Sequence, residues 1–372
     1  MSTALRFILL FIPIMALAAA VVLIEGARSS STTTATPSFV PPAQAQERIP
    51  TAEELALERQ LETLGEAFDG EVGIAVGDAA TGAVHAYNGD IRLPQQSVSK
   101  LWVTMTALAQ VDAGELDLSE PVVIRREDLT LFYQPIREIV RTRGAFRTDY
   151  ADLLSRAITR SDNTANDRLL RRIGGPDAVQ SFLDDADIEG VRFGADERTK
   201  QSAIAGLTWN QAYSYRNRFY EARDEVPDAV RREAFENYLA DPIDGATPVG
   251  IAQALIRLSE GELLSTSSTR LLLDTLEETR SGPRRLKGGV PDGWTFGHKT
   301  GTGQFFDGEQ SGYNDVGVLT APDGSNYALA VMIGRTRAST PARMELMQQV
   351  TRAAVAFHEA KASAAEASES TS

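Results

Sequence analysis

"LPQQSVSKLW", residues 93–102, is where the chain changes character. Before it, apolar and polar residues alternate. After it, apolar residues recur at helical spacing. Inside the stretch, Ser97 and Lys100 stand three apart, which on a helix puts them on one face with Cβ atoms about 5–6 Å apart. A lysine in that position can touch the serine hydroxyl. When buried, it gives up its proton readily and serves as a base, and a serine beside such a base is a candidate nucleophile. The same residues also read as a plain helix start, with Ser97 as the cap and Lys100 in solvent. The rest of the chain has to decide between these readings.

Upstream, "TAEELALERQLETLGEAF" (51–68) has a Thr51 cap, acids in its first turn and helical apolar spacing. "EVGIAVGDAATGAVHAYNGD" (71–90) is two alternating runs around a Gly/Asp/Thr turn, the pattern of a β-hairpin. Downstream, from Ser97 to about Thr279, the periodic segments are helical, among them 100–114, 149–161, 247–261 and 268–280. Strand patterns return at 294–303, 313–322 and 327–335, and a helical pattern over 340–361 closes the chain. The order predicts an α+β fold: an antiparallel sheet flanked by terminal helices, with an inserted all-helical domain at about 97–290. The folded domain is expected over 51–360, with a ligand cleft where the helical block meets the sheet.

The ends read differently. Residues 7–24 are apolar behind Arg6, long enough for a signal peptide or an N-terminal membrane anchor, assigned to 1–25. Small residues at Ala18 and Ala20 offer a cleavage site. Residues 26–50 are Ser/Thr/Pro/Ala-rich and read as a disordered linker, and 361–372 as a low-complexity tail. The folded part is therefore expected outside the cytoplasm, in the periplasm, touching a membrane only through an uncleaved N-terminus. The formal net charge of −14 disfavours a phosphate backbone as partner, so no nucleic acid is expected. The chain has no cysteine, which removes disulfides, thiolate metal sites and cysteine nucleophiles together.

Two more stretches carry chemistry. "AITRSDNTANDRLL" (157–170) contains Ser161, Asp162 and Asn163: a turn or cap by structure, and by chemistry a hydroxyl that can pass a proton and an amide that can hold a substrate. "FGHKTGTG" (296–303) sets Lys299, Thr300, Gly301 and Thr302 on a strand end, a cation, hydroxyls and open backbone suited to an anionic, peptide-like substrate. A Ser-His-Asp hydrolase would need a histidine base. His85 falls in a strand, His358 in the last helix and His298 beside Lys299, none placed for that role. No H-x-H or H-E-x-x-H pattern suggests a metal, and no metal or cofactor is expected.

S-x-x-K, S-D-N and K-T-G in this order make the chain similar to the class A β-lactamases and penicillin-binding proteins. The likeness extends through 158–183, 247–265 and 288–303, and covers roughly 55–358. It implies a β-lactam or a peptidoglycan peptide as the small-molecule partner, and a monomer. In that reading Ser97 attacks the amide carbonyl, Lys100 takes or relays its proton, and Ser161 passes a proton to the leaving nitrogen. Asn163, Lys299, Thr300, Gly301 and Thr302 bind substrate, the backbone N–H groups of Ser97 and Thr302 form the oxyanion hole, and Tyr133, in "DLTLFYQP" (128–135), supplies an aromatic wall.

The family hydrolyses its acyl-enzyme with a glutamate in an E-x-x-L-N pattern. Anchored on Leu207 and Asn210, that pattern puts Ala205 or Gly206 at the glutamate position, where neither can act as a base, and the region is extended by a stretch around 206–245. Glu197 reads as the loop entrance, and Glu221 and Glu225 lie in the extension. All three remain candidate bases, and slow deacylation is the expectation. The alternatives are a D,D-peptidase-like acyltransferase and a non-catalytic binding protein of the same fold. The latter would have no need of all of Ser97, Lys100, Ser161 and Lys299.

Overall fold

The structure, a computed structural model, describes residues 49–369. The expectations for 1–25, for nearly all of 26–50 and for 370–372 lie outside those residues.

Helix α1 (Ala52–Glu66) starts on a reciprocal cap: Glu54 N donates to the Thr51 hydroxyl, and Thr51 N to the Glu54 carboxylate at 2.7 Å. The hairpin β1 (Val72–Asp78) and β2 (Val84–Tyr87) follows, then the short β3 (Leu93–Pro94). The block beyond runs through α2 (Lys100–Asp112), β4 (Pro121–Ile124), α3 (Ile136–Arg143), β5 (Phe146–Asp149), α4 (Tyr150–Thr159), α5 (Asn163–Arg172) and α6 (Pro176–Asp185). It continues with α7 (Glu197–Ile204), α8 (Arg218–Glu225), α9 (Asp228–Ala240), β6 (Gly245–Ala246), α10 (Pro248–Ser259) and α11 (Thr266–Glu277). Then come β7 (Thr295–Thr302), β8 (Phe305–Phe306), β9 (Glu309–Thr320), β10 (Asn326–Thr336) and α12 (Thr340–Glu369).

The outer parts form one antiparallel sheet in the order β2-β1-β10-β9-β7, with β8 on β9. The two halves of the sequence meet where β1 pairs with β10, from Val72 opposite Ile333 to Asp78 opposite Tyr327. Side chains alternate across the sheet. Ile74, Val76, Leu329, Val331 and Ile333 pack under α1 and α12, against Leu57, Leu61, Met347 and Val350. Ala75, Ala330 and Met332 face the helical block, in a core with Trp102, Leu153, Ile158 and Leu169. Covered on both faces, β1 is buried at all seven positions, which is why its sequence is nearly all apolar or small.

The inserted block is helical except for the β4–β5 ribbon, where Val122, Val123 and Ile124 favour extended backbone, and for β6, which pairs with β3 just before the block. The described residues from Pro50 onward cluster as one unit, so the block shares its core with the sheet. Helix α12 runs to Glu369, past the expected boundary at 360. Low complexity there means alanine, the best helix former, rather than loss of structure.

Candidate active site

The nucleophile turn is a 3₁₀ turn over Gln96–Ser99 that leads into α2. Gln96 is held at φ 55°, a left-handed conformation that a non-glycine residue adopts only when its surroundings enforce it. They do. Gln96 N donates to Asp244 Oδ2 at 2.9 Å, its side-chain amide donates to Tyr238 OH and Ser311 O, and its Oε1 accepts from Gln201. Lys100, the first residue of α2, is fully buried. Its Nζ donates to Ser97 Oγ at 2.9 Å and to Glu197 Oε1 at 2.7 Å.

Glu197 opens α7. Asp196 caps that helix by accepting from Thr199 N, and Asp167 Oδ1 accepts the Glu197 N–H at 3.1 Å. One turn on, the buried Lys200 reaches Glu197 Oε1 at 3.4 Å, Asp244 Oδ2 at 3.0 Å and Gln96 O at 3.3 Å. Burial would raise the Glu197 carboxyl, but the Lys100 and Lys200 ammoniums, with hydrogen bonds from Lys100 and Gln201, outweigh it and hold it well below the usual carboxylate range. Burial lowers Lys100 against the pull of Glu197. Lys200 goes the other way: burial opposes its charge, and Asp244 with Glu197 overcomes that and raises it.

On the opposite wall, Ser161 sits at φ 54° just before α5. Asp162 makes this turn: its carboxylate accepts from Thr164 N, Ala165 N and Ile136 N. Asn163 donates to Leu131 O at 3.0 Å. Lys299, on β7, donates to Ser161 Oγ and Thr300 O, each at 2.9 Å. Among the described residues it has no carboxylate within contact, and burial, with the charges of Lys100 and Arg285, pushes it well below the ordinary lysine range. A Cβ on Gly301 would stand 2.2 Å from Gln95 O, so only glycine lets β7 lie against the nucleophile turn. Ser281 Oγ meets Thr300 Oγ1 at 2.7 Å, and Arg285 donates to Gly301 O and Thr302 Oγ1 at 2.8 and 2.6 Å.

A cavity of about 740 Å³ opens between these walls, and Ser97, Tyr133, Ser161, Asn163, Glu197, Thr300 and Thr302 all line it. Lys100 and Lys299 lie buried at its wall, each reaching it through its serine. Tyr133 is largely exposed at the rim. The arrangement offers a hydroxyl nucleophile with a buried amine, a second hydroxyl with a second amine, and a carboxylate beside the first amine.

Of the three glutamates, only Glu197 is in this assembly. Glu221 and Glu225 are exposed on α8 and do not line the cavity. Ala205 and Gly206 follow the end of α7, away from Lys100. Anchored on Leu207 and Asn210, the family pattern points to residues just past the end of α7, whereas Glu197 stands at its start. The carboxylate stands at the first position of α7, and Lys200 and Gln201 occupy the turn after it. Lys200, Gln201, Asp244, Asp167 and Arg285 escaped the sequence reading. A signal for Lys200 was present, because it is three residues after Glu197 on a helix capped by Asp196.

A family model described as the β-lactamase enzyme family matches residues 56–358. The extended-spectrum β-lactamase PER-1 of Pseudomonas aeruginosa is 29% identical over 309 residues, 83% of this chain and 89% of its own. The β-lactamase FAR-1 of Nocardia farcinica is 29% identical over 305 residues, 82% of each chain. Among solved structures, an ancestral class A β-lactamase superposes with a TM-score of 0.63 at 30% identity, over 80% of this chain and 98% of its own. A β-lactamase from Chitinophaga pinensis gives 0.66 at 25% identity, over 80% and 97%.

Proposed function

This chain belongs to the β-lactamase enzyme family, and from that premise we propose that it opens β-lactam amides through a covalent acyl-enzyme on Ser97. One observation carries the reading: the buried Lys100 Nζ bridges Ser97 Oγ at 2.9 Å and Glu197 Oε1 at 2.7 Å. Lys100, lowered by burial, accepts the Ser97 proton as Oγ adds to the lactam carbonyl. The backbone N–H groups of Ser97 and Thr302 take the oxyanion. A donor of this kind is worth about 2.7–4 kcal/mol of barrier lowering. As the C–N bond breaks, the proton taken up by Lys100 is relayed to the departing nitrogen through Ser161 Oγ, which the Lys299 Nζ–H holds in place. Asn163 holds the acylamino group, and Lys299, Thr300 and Thr302 the substrate carboxylate. In the second half, Glu197 takes a proton from water, the water oxygen adds to the ester carbonyl, and Ser97 Oγ leaves as the C–O bond breaks, reprotonated from Glu197 through Lys100, which bridges the two.

The expectation of slow deacylation rested on Ala205 or Gly206 at the base position. With Glu197 beside Lys100 its ground is gone, and steady turnover follows from the same reading. We propose the exported, periplasmic setting on the strength of the N-terminal apolar run. Among the described residues no helix is long and apolar enough to cross a membrane. The test mixes purified protein with a chromogenic cephalosporin. Continuous hydrolysis, lost in Ser97→Ala, is expected. A stoichiometric burst with no turnover would instead favour a penicillin-binding acyltransferase acting on peptidoglycan peptides. A penicillin adduct that persists on Ser97→Ala by mass spectrometry would overturn the nucleophile assignment.

A further inference from the structure

The cavity is cationic although the chain as a whole carries a formal charge of −14. Arg160, Arg223, Arg280 and Arg285 line it, against the single carboxylate of Glu197. Three of the four stand at one end. Arg160 adjoins Ser161, Arg280 adjoins Ser281 on Thr300, and Arg285 donates to Thr302. That end is where the substrate carboxylate is expected.

Arg223 stands apart. It comes from α8, inside the extended stretch, and shares a narrow recess with Gln304, Phe305 and Phe306. From Thr300 to Phe305 the chain runs along the cavity, a span of up to about 16 Å at about 3.3 Å per residue. Cations therefore lie toward both ends. The Arg223 guanidinium lies 5.1 Å from the Tyr220 ring centre, and Tyr220 packs beside Phe132, itself held edge-on by the buried Phe219. Among the described residues its only anionic contact is its neighbour Asp224, exposed and 3.4 Å from Nη2. Its Nε is buried with no hydrogen-bond partner. A buried donor without an acceptor is costly, and a ligand carboxylate entering along the aromatic wall would supply one.

Resting on the hydrolase reading above, we propose that Arg223, with Tyr220 and Phe132, forms a subsite for a carboxylate on the acyl side chain, so that the favoured substrates are β-lactams carrying two anions. The ring carboxylate goes to the Lys299 end, and the side-chain carboxylate pairs with the guanidinium fork of Arg223. An aryl group on the same side chain lies against Phe132 and Tyr220. The field of the cavity draws such dianions in and weakens with salt.

The test compares kcat/KM for benzylpenicillin and α-carboxybenzylpenicillin with the full-length protein. Arg223→Gln is expected to lower the α-carboxy to benzyl ratio by on the order of tenfold, chiefly through KM, as loss of one charged hydrogen-bonding contact implies. Arg223→Lys keeps the charge without the fork and falls between. Asp224→Asn, an exposed change that removes the competing anion, raises the ratio. The wild-type ratio falls as salt is added. Equal losses on both penicillins in Arg223→Gln, or a ratio that neither Asp224→Asn nor salt moves, would overturn the subsite and leave the hydrolase standing. Neither penicillin being hydrolysed, with no adduct trapped on Ser97 in Glu197→Gln, would overturn the hydrolase reading and the subsite with it.

Discussion

Two lysine–serine pairs face each other across the cavity, alike in geometry and unlike in charge. On the helical wall Lys100 donates to Ser97 at 2.9 Å, and on the sheet wall Lys299 donates to Ser161 at 2.9 Å. Both lysines are buried. Lys100 has a carboxylate at 2.7 Å, which in turn is shared with Lys200. Lys299 has no carboxylate in contact among the described residues and instead feels the charges of Lys100 and Arg285. The first pair is a closed ionic network in which a proton can move without leaving a charge stranded: Lys200 stays charged beside Glu197 when Lys100 is neutral. The second is electrostatically unfinished, and an incoming anion completes it. One geometry thus serves proton relay on one wall and anion capture on the other, and the neighbours decide which.

The sharpest way to break the comparison is to remove the carboxylate that distinguishes the walls. Glu197→Gln should still acylate at Ser97 but deacylate about 10²–10⁴-fold more slowly, the usual worth of general-base help. Mass spectrometry should then find the penicillin adduct persisting, and undiminished steady hydrolysis would dismiss Glu197 as the base. Lys200→Met takes away the cation that closes the network. Leaving Glu197 and Asp244 short of one partner should cost about 3–5 kcal/mol of stability, visible as a lowered Tm. A Tm equal to that of the wild type would show that Lys200 compensates nothing. Lys299→Ala probes the unfinished wall. Acylation by a substrate with a free carboxylate should weaken by roughly 2–5 kcal/mol, and by its ester much less. Matching losses would remove the anion-binding role.

The smallest effect concerns Asp167, which holds the Glu197 N–H. Burial, helped by the negative charges of Asp196 and Glu197, pushes its carboxyl up to about 7. The unfolded chain releases this proton near its ordinary value of 3.8, while the folded protein keeps it until about pH 7. Between those values the native state binds more protons, so this group's contribution to stability falls as pH rises. Asp167→Asn should flatten the decline of Tm between about pH 4 and 7. An unchanged slope would show that Asp167 is ionised in the native protein throughout that range.

How much of this was legible in the sequence differs between the walls. Ser97, Lys100, Ser161 and Lys299 could be read because each sits in a short motif whose spacing local backbone fixes: one helical turn, one cap, one strand. The sheet was legible from alternation, and its closure from the order of elements. The Glu197 network was not. It joins α2, α7 and the residue before β6, and nothing local says that Lys200 reaches Asp244 rather than solvent. The choice of Ala205 over Glu197 as the base position has the same origin, because a pattern anchored on Leu207 and Asn210 does not know where the helix begins. Asp196, the N-cap of α7, was the local mark of the true start. The α8–α9 stretch stayed unplaced because what seats it is distant aromatic packing, Phe219 on Phe132 and Phe235 beside Phe306.

The pairing of Val72 with Ile333 sets the order in which the molecule can be made. β10 is the central strand, between β1 and β9, and it is the last strand to be synthesised. Until it emerges, β1 has only the short hairpin partner β2 and the sheet has no middle. Contacts between the two ends of a chain are slow to form, since the whole intervening loop must be closed first. A nascent chain of this design stays without its native sheet throughout translation, and a fragment ending before Asn326 would expose two unpaired strand edges, the setting for aggregation. Late closure keeps the polypeptide threadable until its C-terminus is free, which agrees with the exported setting proposed above.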